Sequence, residues 1–511
     1  MRQVWICSCG IGCEDFAPRK GAGVLMRDPI HKIARLRIMS STVTLPLWLV
    51  ILIVLFGAVT FASHFLFPSV RWFLRGRVER GLARLNAKLQ RPIDPLKLMR
   101  RQDKIVRLIY DPQVMQAIAD HAEETGAPMN VVLDEAKAYA REIVPGFSTL
   151  LYFGVATRVS RWLTKQLYRV KIGRVDAALK GGDHNGIDRE ATVIFVINHR
   201  SNMDYVLVTW LVADRSALSY AVGEWARVWP LSRIIRAMGA YFIRRNSRSA
   251  LYRKVLARYV QMITAEGTTQ AVFPEGGLSL DGRVGKAKMG LLSYIKAGFD
   301  PAGRDVVFVP VGLAYDRVLE DRVLTEAAAA GTRRFRARLG VMLRFGAKLL
   351  WQKLRGRFQG FGIAAAGFGA PLSLRDWLAQ RPERDTEALG QELMARITAS
   401  VPILPVPLMA AVLSKGAATQ AELAQRAAGL VQDLRVKGAV LRIGKMADLV
   451  QEGMAPLMAR GFVAEDGGRV QVTAKGRAMI SFYAAPVLQA LGQTLGECRD
   501  AADIKLQKTS I

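Results

Sequence analysis

Residues 192–212 read TVIFVINHRSNMDYVLVTWLV, and this stretch decides the fold. The first six are a short apolar run rich in β-branched side chains, the pattern of a buried strand. A polar turn follows, and apolar residues then recur at helical spacing from about residue 204. The same alternation returns downstream. SYAVG (219–223), AYFIR (240–244), QAVFP (270–274) and VVFVPVGLAY (306–315) are strand candidates, with helical stretches near 247–265 and 286–298 between them. The expected fold class is therefore α/β, a mixed sheet flanked by helices.

Outward from this centre the rhythm changes. One more strand, FGIAAAGFGAPLSL, precedes a helix-rich region in which GFVAEDGGRVQVTA reads as a winged-helix-like hairpin. Upstream, QVMQAIADHAEETG and MNVVLDEAKAYAREIV place apolar residues three and four apart, so residues 70–170 read as helices. STLLYFGVATRVSRWLTKQLYRV is amphipathic and basic, suited to a membrane surface or to packing on the next domain. The expected organisation is 1–70 tail and anchor, 71–175 helical, 176–375 α/β, and 376–511 helix-rich.

Residues 42–67, TVTLPLWLVILIVLFGAVTFASHFLF, carry no charge. As a helix they rise about 39 Å, more than the roughly 30 Å of bilayer hydrocarbon. The apolar part of a cleaved signal peptide is shorter, so a retained transmembrane helix is expected. Arg71, Arg75, Arg77, Arg80 and Arg84 crowd its C-terminal flank. They predict a single pass through the inner membrane with the rest of the chain facing the cytoplasm. Arg27, Lys32, Arg35 and Arg37 oppose that orientation, and translation starting at Met39 would remove them. Cys7, Cys9 and Cys13 would go with them; with no fourth ligand nearby, no metal site is expected there. Four cysteines cannot form a disulfide framework.

At 51% hydrophobic residues the chain is not globally disordered, yet 73 Lys and Arg against 43 Asp and Glu leave it at +30. Such a surplus calls for an anionic partner: nucleic acid, acidic lipid, or a phosphorylated substrate. Two stretches, 225–265 and 333–358, are rich in Arg and Lys and hold no acid. Aromatic and aliphatic residues interleave with that charge, so neither is a polybasic tail.

Chemistry concentrates in four blocks. In the first, His199 and Asp204 stand five apart across the turn after the first strand. An imidazole titrates near neutrality and takes a hydroxyl proton, while a carboxylate fixes its tautomer. A capping Asp and an ordinary turn His would read the same. In the second, Arg244 and Arg245 at a strand end suit a phosphate, held by charge-assisted hydrogen bonds. In the third, FPEGGLSLDGR, Gly276 and Gly277 allow close approach to a ligand, and Glu275 would orient a hydroxyl or an arginine. In the fourth, Val309, Pro310 and Val311 are core by default.

In this order and spacing, HRSNMDY, GAYFIRR, FPEGG and VPVGLAYDRV resemble the glycerophospholipid acyltransferase superfamily, and within it the glycerol-3-phosphate acyltransferases. KAYAREIVPGF, FGAPLSL and SFYAAPVL extend the resemblance over residues 100–491. It implies acyl transfer from acyl-CoA or acyl-carrier protein to the sn-1 hydroxyl of glycerol 3-phosphate, giving lysophosphatidate, with no cofactor and no metal. It makes His199 the general base and Asp204 its partner. Arg200, Ser201, Arg244, Arg245, Glu275, Gly276, Gly277 and Ser279 fall to the acceptor, and Val309, Pro310 and Val311 to an acyl pocket or to packing. Family members usually follow the two glycines with Arg-Ser-Arg, where Leu278-Ser279-Leu280 stands here. Either Arg283, Lys286 or Lys288 substitutes, or the acceptor differs, lysophosphatidate being the alternative. Anionic lipids are expected partners. A membrane-anchored nucleic-acid-binding protein is a distant alternative, and nucleic acid is not an expected partner because the tail is not strongly basic.

Overall fold

The computed structural model describes residues 46–61, 100–172, 187–212, 216–223, 231–244, 247–331, 339–356, 358, 360–380 and 385–493. Residues Met1–Val78 and Glu79–Ile511 form two compact units. In the first, the described residues are a helix, Leu47–Phe61, started at Pro46, whose carbonyl accepts from Leu49 and Val50 N–H. Most of its side chains are apolar, and Leu47, Trp48, Ile51, Leu55 and Phe56 among them are exposed. Among the described residues no helix is long and apolar enough to cross a membrane. The remainder of the expected 42–67 span lies outside the described residues, as do Met39, the three N-terminal cysteines and the flanking arginines.

The second unit opens with helices Arg101–Ile109, Pro112–Thr125 and Met129–Ile143. Asp111 caps the middle one by accepting from Gln113 N–H, with Pro112 at its first position, and Gly126 ends it at φ +68°. Each buries one stripe: Val114 and Ile118 on the second, Val132, Ala136 and Ala140 on the third. A π-helical turn, Leu150–Ala156, then runs into helix Thr157–Leu167.

The strands are β1 Arg169–Ile172, β2 Thr192–Ile197, β3 Ser219–Val222, β4 Tyr241–Phe242, β5 Gln270–Val272, β6 Val306–Tyr315, β7 Ile363–Phe368 and β8 Leu372–Ser373. They form one sheet in the order β1-β7-β6-β2-β5-β3-β4, with β8 beside β6. From β6 to β4 all pairs are parallel; β7 and β8 run antiparallel to β6, so the sheet is mixed. Two details depart from the expectation. Residues 169–170 are strand, not the end of a helix: Arg169–Ile172 is an edge segment that takes its form from pairing with β7. FGIAAAGFGAPLSL gives two strands, parted at 369–371, where Pro371 has no N–H for a ladder.

Alternate side chains along the buried strands reach opposite faces. Val193, Phe195 and Ile197 join one core, with helix Met203–Val212 and much of the C-terminal region. Ile194 and Val196 join the other, with the three helices at 101–143 and helices Ala250–Ala265 and Met289–Ala297. Gly312 and Gly367 let the end of helix Thr386–Ser400 lie directly on the sheet. A Cβ at Gly312 would stand 2.4 Å from Ser400 carbonyl carbon, and one at Gly367 would stand 2.1 Å from Ser400 O. Helix Pro405–Leu413 is buried on every side, as its continuous apolar sequence requires. Past helix Met446–Ala459, β9 (Val463–Asp466) and β10 (Arg469–Val472) form the expected hairpin. Gly467 and Gly468, at φ +55° and +76°, make its two-residue turn.

Candidate active site

The loops that follow β2, β4 and β5, and the end of β6, all lie at the carboxyl edge of the parallel strands, where α/β sheets bind ligands. Strand β6 overhangs there. Its last pair with β2 is Ile197↔Val311, so 312–315 run on beyond β2. Asn198 extends the ladder with its side chain, donating to Leu313 O (3.0 Å) and accepting from Leu313 N–H (2.7 Å). This lays the 198–204 turn along the overhang.

Within the turn, His199 Nδ1 lies 2.9 Å from Asp204 Oδ2, with side chains 2% and 0% exposed. Asp204 is acceptor to four groups. Its Oδ2 also receives Arg200 N–H (2.7 Å) and Ser201 N–H (3.0 Å), and its Oδ1 receives the Tyr315 hydroxyl (2.7 Å). Because both Asp204 oxygens accept from neighbouring donors, the His–Asp contact is made through Nδ1, and Nε2 is the ring nitrogen turned away from the carboxylate. Phe273 and Tyr205 enclose the imidazole, with ring centroids 4.4 and 5.4 Å away.

Glu275 ties the third block to the first. Its Oε1 accepts His199 N–H (2.9 Å) and its Oε2 accepts Gly285 N–H (3.1 Å). Burial pushes its carboxyl up, and those two N–H bonds oppose the shift. Gly276 takes φ +67° in the tight turn beside Gly277, closed by its N–H to Phe273 O (3.0 Å). Ser279 N–H donates to His199 O (2.9 Å), and its hydroxyl donates to Arg283 O (2.7 Å) while accepting Gly282 N–H (3.1 Å). Glu275 and Ser279 thus bind the two loops together.

Arg200 is 3% exposed. Its guanidinium donates to Gly282 O and lies 4.8 Å over the Phe482 ring, and no carboxylate among the described residues forms an ion pair with it. Ser201 donates its hydroxyl to Glu320 Oε2 (2.7 Å) and accepts Met203 N–H (3.1 Å). Arg244 is engaged from outside the loops: Glu142, on the third helix of the unit, takes its guanidinium in a two-pronged pair at 2.9 and 2.6 Å. Arg245 lies outside the described residues. Leu278 and Leu280 are half-buried against the core that contains Phe482, which accounts physically for apolar residues there. Val309 and Val311 point into that same core, and Pro310, within β6, accepts Gly369 N–H (2.9 Å). Among the described residues there is no cluster of metal-ligating side chains.

Two residues of this site carry no role in the sequence reading. Tyr315 sits in the fourth block, but nothing in a strand-end tyrosine reveals that it meets Asp204. Glu320 accepts from Ser201 Oγ and from both Asn202 N–H (3.3 Å) and Asn202 Nδ2 (3.0 Å). No local pattern marks it, because its partners are 118 and 119 residues away.

Residues 182–314 match the family model described as Acyltransferase, and residues 348–489 match that of the glycerol-3-phosphate acyltransferase C-terminal region. Among curated relatives, the glycerol-3-phosphate acyltransferase of Pseudomonas putida strain KT2440 is 28% identical over 337 residues, which is 61% of this chain. That of Aeromonas hydrophila is 28% identical over 307 residues, 58% of this chain. The chain spans 38% and 35% of the length of these two relatives. The solved 1-acyl-sn-glycerophosphate acyltransferase of Thermotoga maritima is 20% identical, covering 58% of this chain and 98% of its own, at a TM-score of 0.26.

Proposed function

We propose that this chain, which matches the Acyltransferase and glycerol-3-phosphate acyltransferase C-terminal family models, moves a fatty acyl group from a thioester to glycerol 3-phosphate. The donor is acyl-CoA or acyl-carrier protein, and the product is lysophosphatidate. The observation that carries this reading is the buried His199–Asp204 pair, preset within hydrogen-bond reach at the carboxyl edge of the sheet. His199 Nε2 takes the proton of the sn-1 hydroxyl as its oxygen bonds to the thioester carbonyl carbon. Asp204 stabilises the imidazolium. The tetrahedral intermediate then expels the thiolate, which recovers the proton, so the step balances without a further reactant.

The acceptor phosphate needs a cation. Arg244 is engaged by Glu142, and the leucines at 278 and 280 pack inward. Lys288 is the best placed of the three substitutes. Its stem lies over Gly276, where an added Cβ would come within 2.9 Å of Lys288 Cγ, and its N–H donates to Pro274 O (2.7 Å). The buried Arg200 adds positive potential behind it. The apolar replacement at 278 and 280 also favours a second reading, with lysophosphatidate as acceptor.

The location we propose is an anionic membrane surface, on the cytoplasmic side. Helices Thr157–Leu167 and Leu339–Leu354 meet through Lys353 Nζ donating to Gln166 Oε1. Together with the π-helical turn they expose Leu150, Val155, Val159, Trp162, Trp351 and Leu354. No acid lies on either helix, and the same two helices carry Arg158, Arg161, Lys165, Arg344 and Lys348. Exposed apolar side chains on acid-free, cationic helices suit a lipid headgroup layer. The test of function supplies purified full-length protein with labelled acyl donor and either acceptor. Faster labelling of glycerol 3-phosphate is expected; faster labelling of lysophosphatidate overturns the first reading in favour of the second.

A further inference from the structure

We propose that Tyr315 is a positioning residue for the acyl transfer. It clamps the oxygen of Asp204 that faces away from His199 and so sets how strongly the pair holds a proton. The inference rests on the general-base reading of His199.

Asp204 is fully buried, and its Oδ2 is satisfied by His199 Nδ1 and two backbone N–H groups of its own turn. Its Oδ1 has a different source, the Tyr315 hydroxyl at 2.7 Å, from 111 residues along the chain. That donor reaches Asp204 because β6 overhangs β2, with Asn198 bridging to Leu313 and Tyr315 backbone paired with Ala364 of β7. The Tyr315 ring is braced in turn by Tyr168, 5.4 Å away, whose hydroxyl donates to Arg317 O (2.8 Å). Glu320, three residues past Arg317, holds Ser201 and Asn202, so the overhang and its continuation secure both halves of the turn.

A hydroxyl on Oδ1 draws charge from the carboxylate and makes it a weaker acceptor toward the imidazolium. Removing it leaves a buried carboxylate oxygen without a partner, and the negative charge leans on His199 instead. The imidazolium is then held more firmly, and His199 loses its proton at higher pH. The other groups around the pair are Glu275 and Arg200 on the loops, Glu320 after β6, and Tyr168 and Tyr205. None of these changes partner when only the Tyr315 oxygen is deleted.

The experiment compares the full-length protein with Tyr315→Phe by two readouts. The first is the pH profile of kcat/KM with glycerol 3-phosphate. Its acid limb is expected to move up by roughly half to one pH unit. Activity at pH 6 then falls about three- to tenfold, while the alkaline plateau stays within threefold of wild type. The second needs no turnover: titration of the His199 imidazole in 15N-histidine-labelled protein, its signal identified by loss in His199→Asn, is expected to shift upward equally. Incorporating 3-fluorotyrosine at 315 keeps the hydroxyl and strengthens it as a donor, so both readouts are expected to move the opposite way. Unshifted titrations in both variants overturn the clamp, as does a plateau that drops uniformly without movement of the limb. If wild type leaves glycerol 3-phosphate unacylated, the proposed function fails, and the imidazole titration still decides the clamp.

Discussion

Replacing Asp204 by Asn isolates the electrostatic part of the pair. The substitution is nearly isosteric in a fully buried site, and its amide oxygen still accepts from Arg200 and Ser201 N–H, which keeps the turn in place. Tyr315 can rotate its hydroxyl to accept from the new amide N–H. The negative charge that faces the imidazolium is what disappears. With Nδ1 2.9 Å from Oδ2, the centres of the two delocalised charges are separated by more than that contact. At a separation of about 4 Å and an effective dielectric near 20, the interaction is worth about 4 kcal/mol. Since every 1.36 kcal/mol is tenfold in rate, kcat is expected to fall by roughly 10³. The assay is transfer of labelled acyl group to glycerol 3-phosphate by purified protein, run beside His199→Ala and the double variant, with thermal unfolding as the check on folding. Groups acting as a unit are non-additive, so the double variant is expected to be little slower than His199→Ala. A soluble, folded Asp204→Asn enzyme within tenfold of wild type refutes the reasoning, as does full additivity.

Lys288→Ala is expected to raise the KM for glycerol 3-phosphate about tenfold or more, with kcat within threefold, the loss of one charge-assisted phosphate contact; steady-state kinetics in the acceptor checks this, and an unchanged KM moves the cation elsewhere. Trp162→Asp with Trp351→Asp is expected to weaken binding to vesicles of anionic lipid at least tenfold while leaving turnover of soluble substrates intact, read by cosedimentation. Asp316 gives a pH prediction. Burial pushes its carboxyl up to about 6, against the pull of N–H bonds from Ile363 (2.8 Å) and Val406 (3.1 Å). Its folded value lies above the ordinary carboxylate value, so the folded state binds the extra proton. The stability this adds is complete below about pH 4 and is lost as pH rises through about 6, in all roughly 3 kcal/mol. Denaturant midpoints measured from pH 4 to 7 are expected to decline less steeply in Asp316→Asn than in wild type.

Much of the α/β domain is legible locally. TVIFVI and VVFVPVGLAY become β2 and β6 with the bounds their apolar runs predict, and the hairpin at 463–472 follows from two adjacent glycines. Short-range patterns suffice there because strand burial and turn chemistry are properties of a few consecutive residues. Arg169–Ile172 is not legible in this way: a four-residue edge strand has little pattern of its own and exists because β7 is beside it. The site divides on the same line. His199 and Asp204 announce themselves by five-residue spacing, and Glu275 by its place before two glycines.

The α/β class, the candidate His–Asp pair and the strongly cationic character are all written in local stretches of sequence. Tertiary structure decided which groups are still free to bind. Glu142 reaches Arg244 from 102 residues away, Tyr315 reaches Asp204 from 111, and Gln489 of the C-terminal region takes both Val284 N–H (2.8 Å) and Val284 O (2.9 Å). The reason is physical. A charged or polar side chain is assigned by whichever complementary group the fold buries against it, and a buried polar group left without a partner costs on the order of 1–3 kcal/mol. Those partners come from other elements of the sheet and its flanking helices, and no window of neighbouring residues contains them.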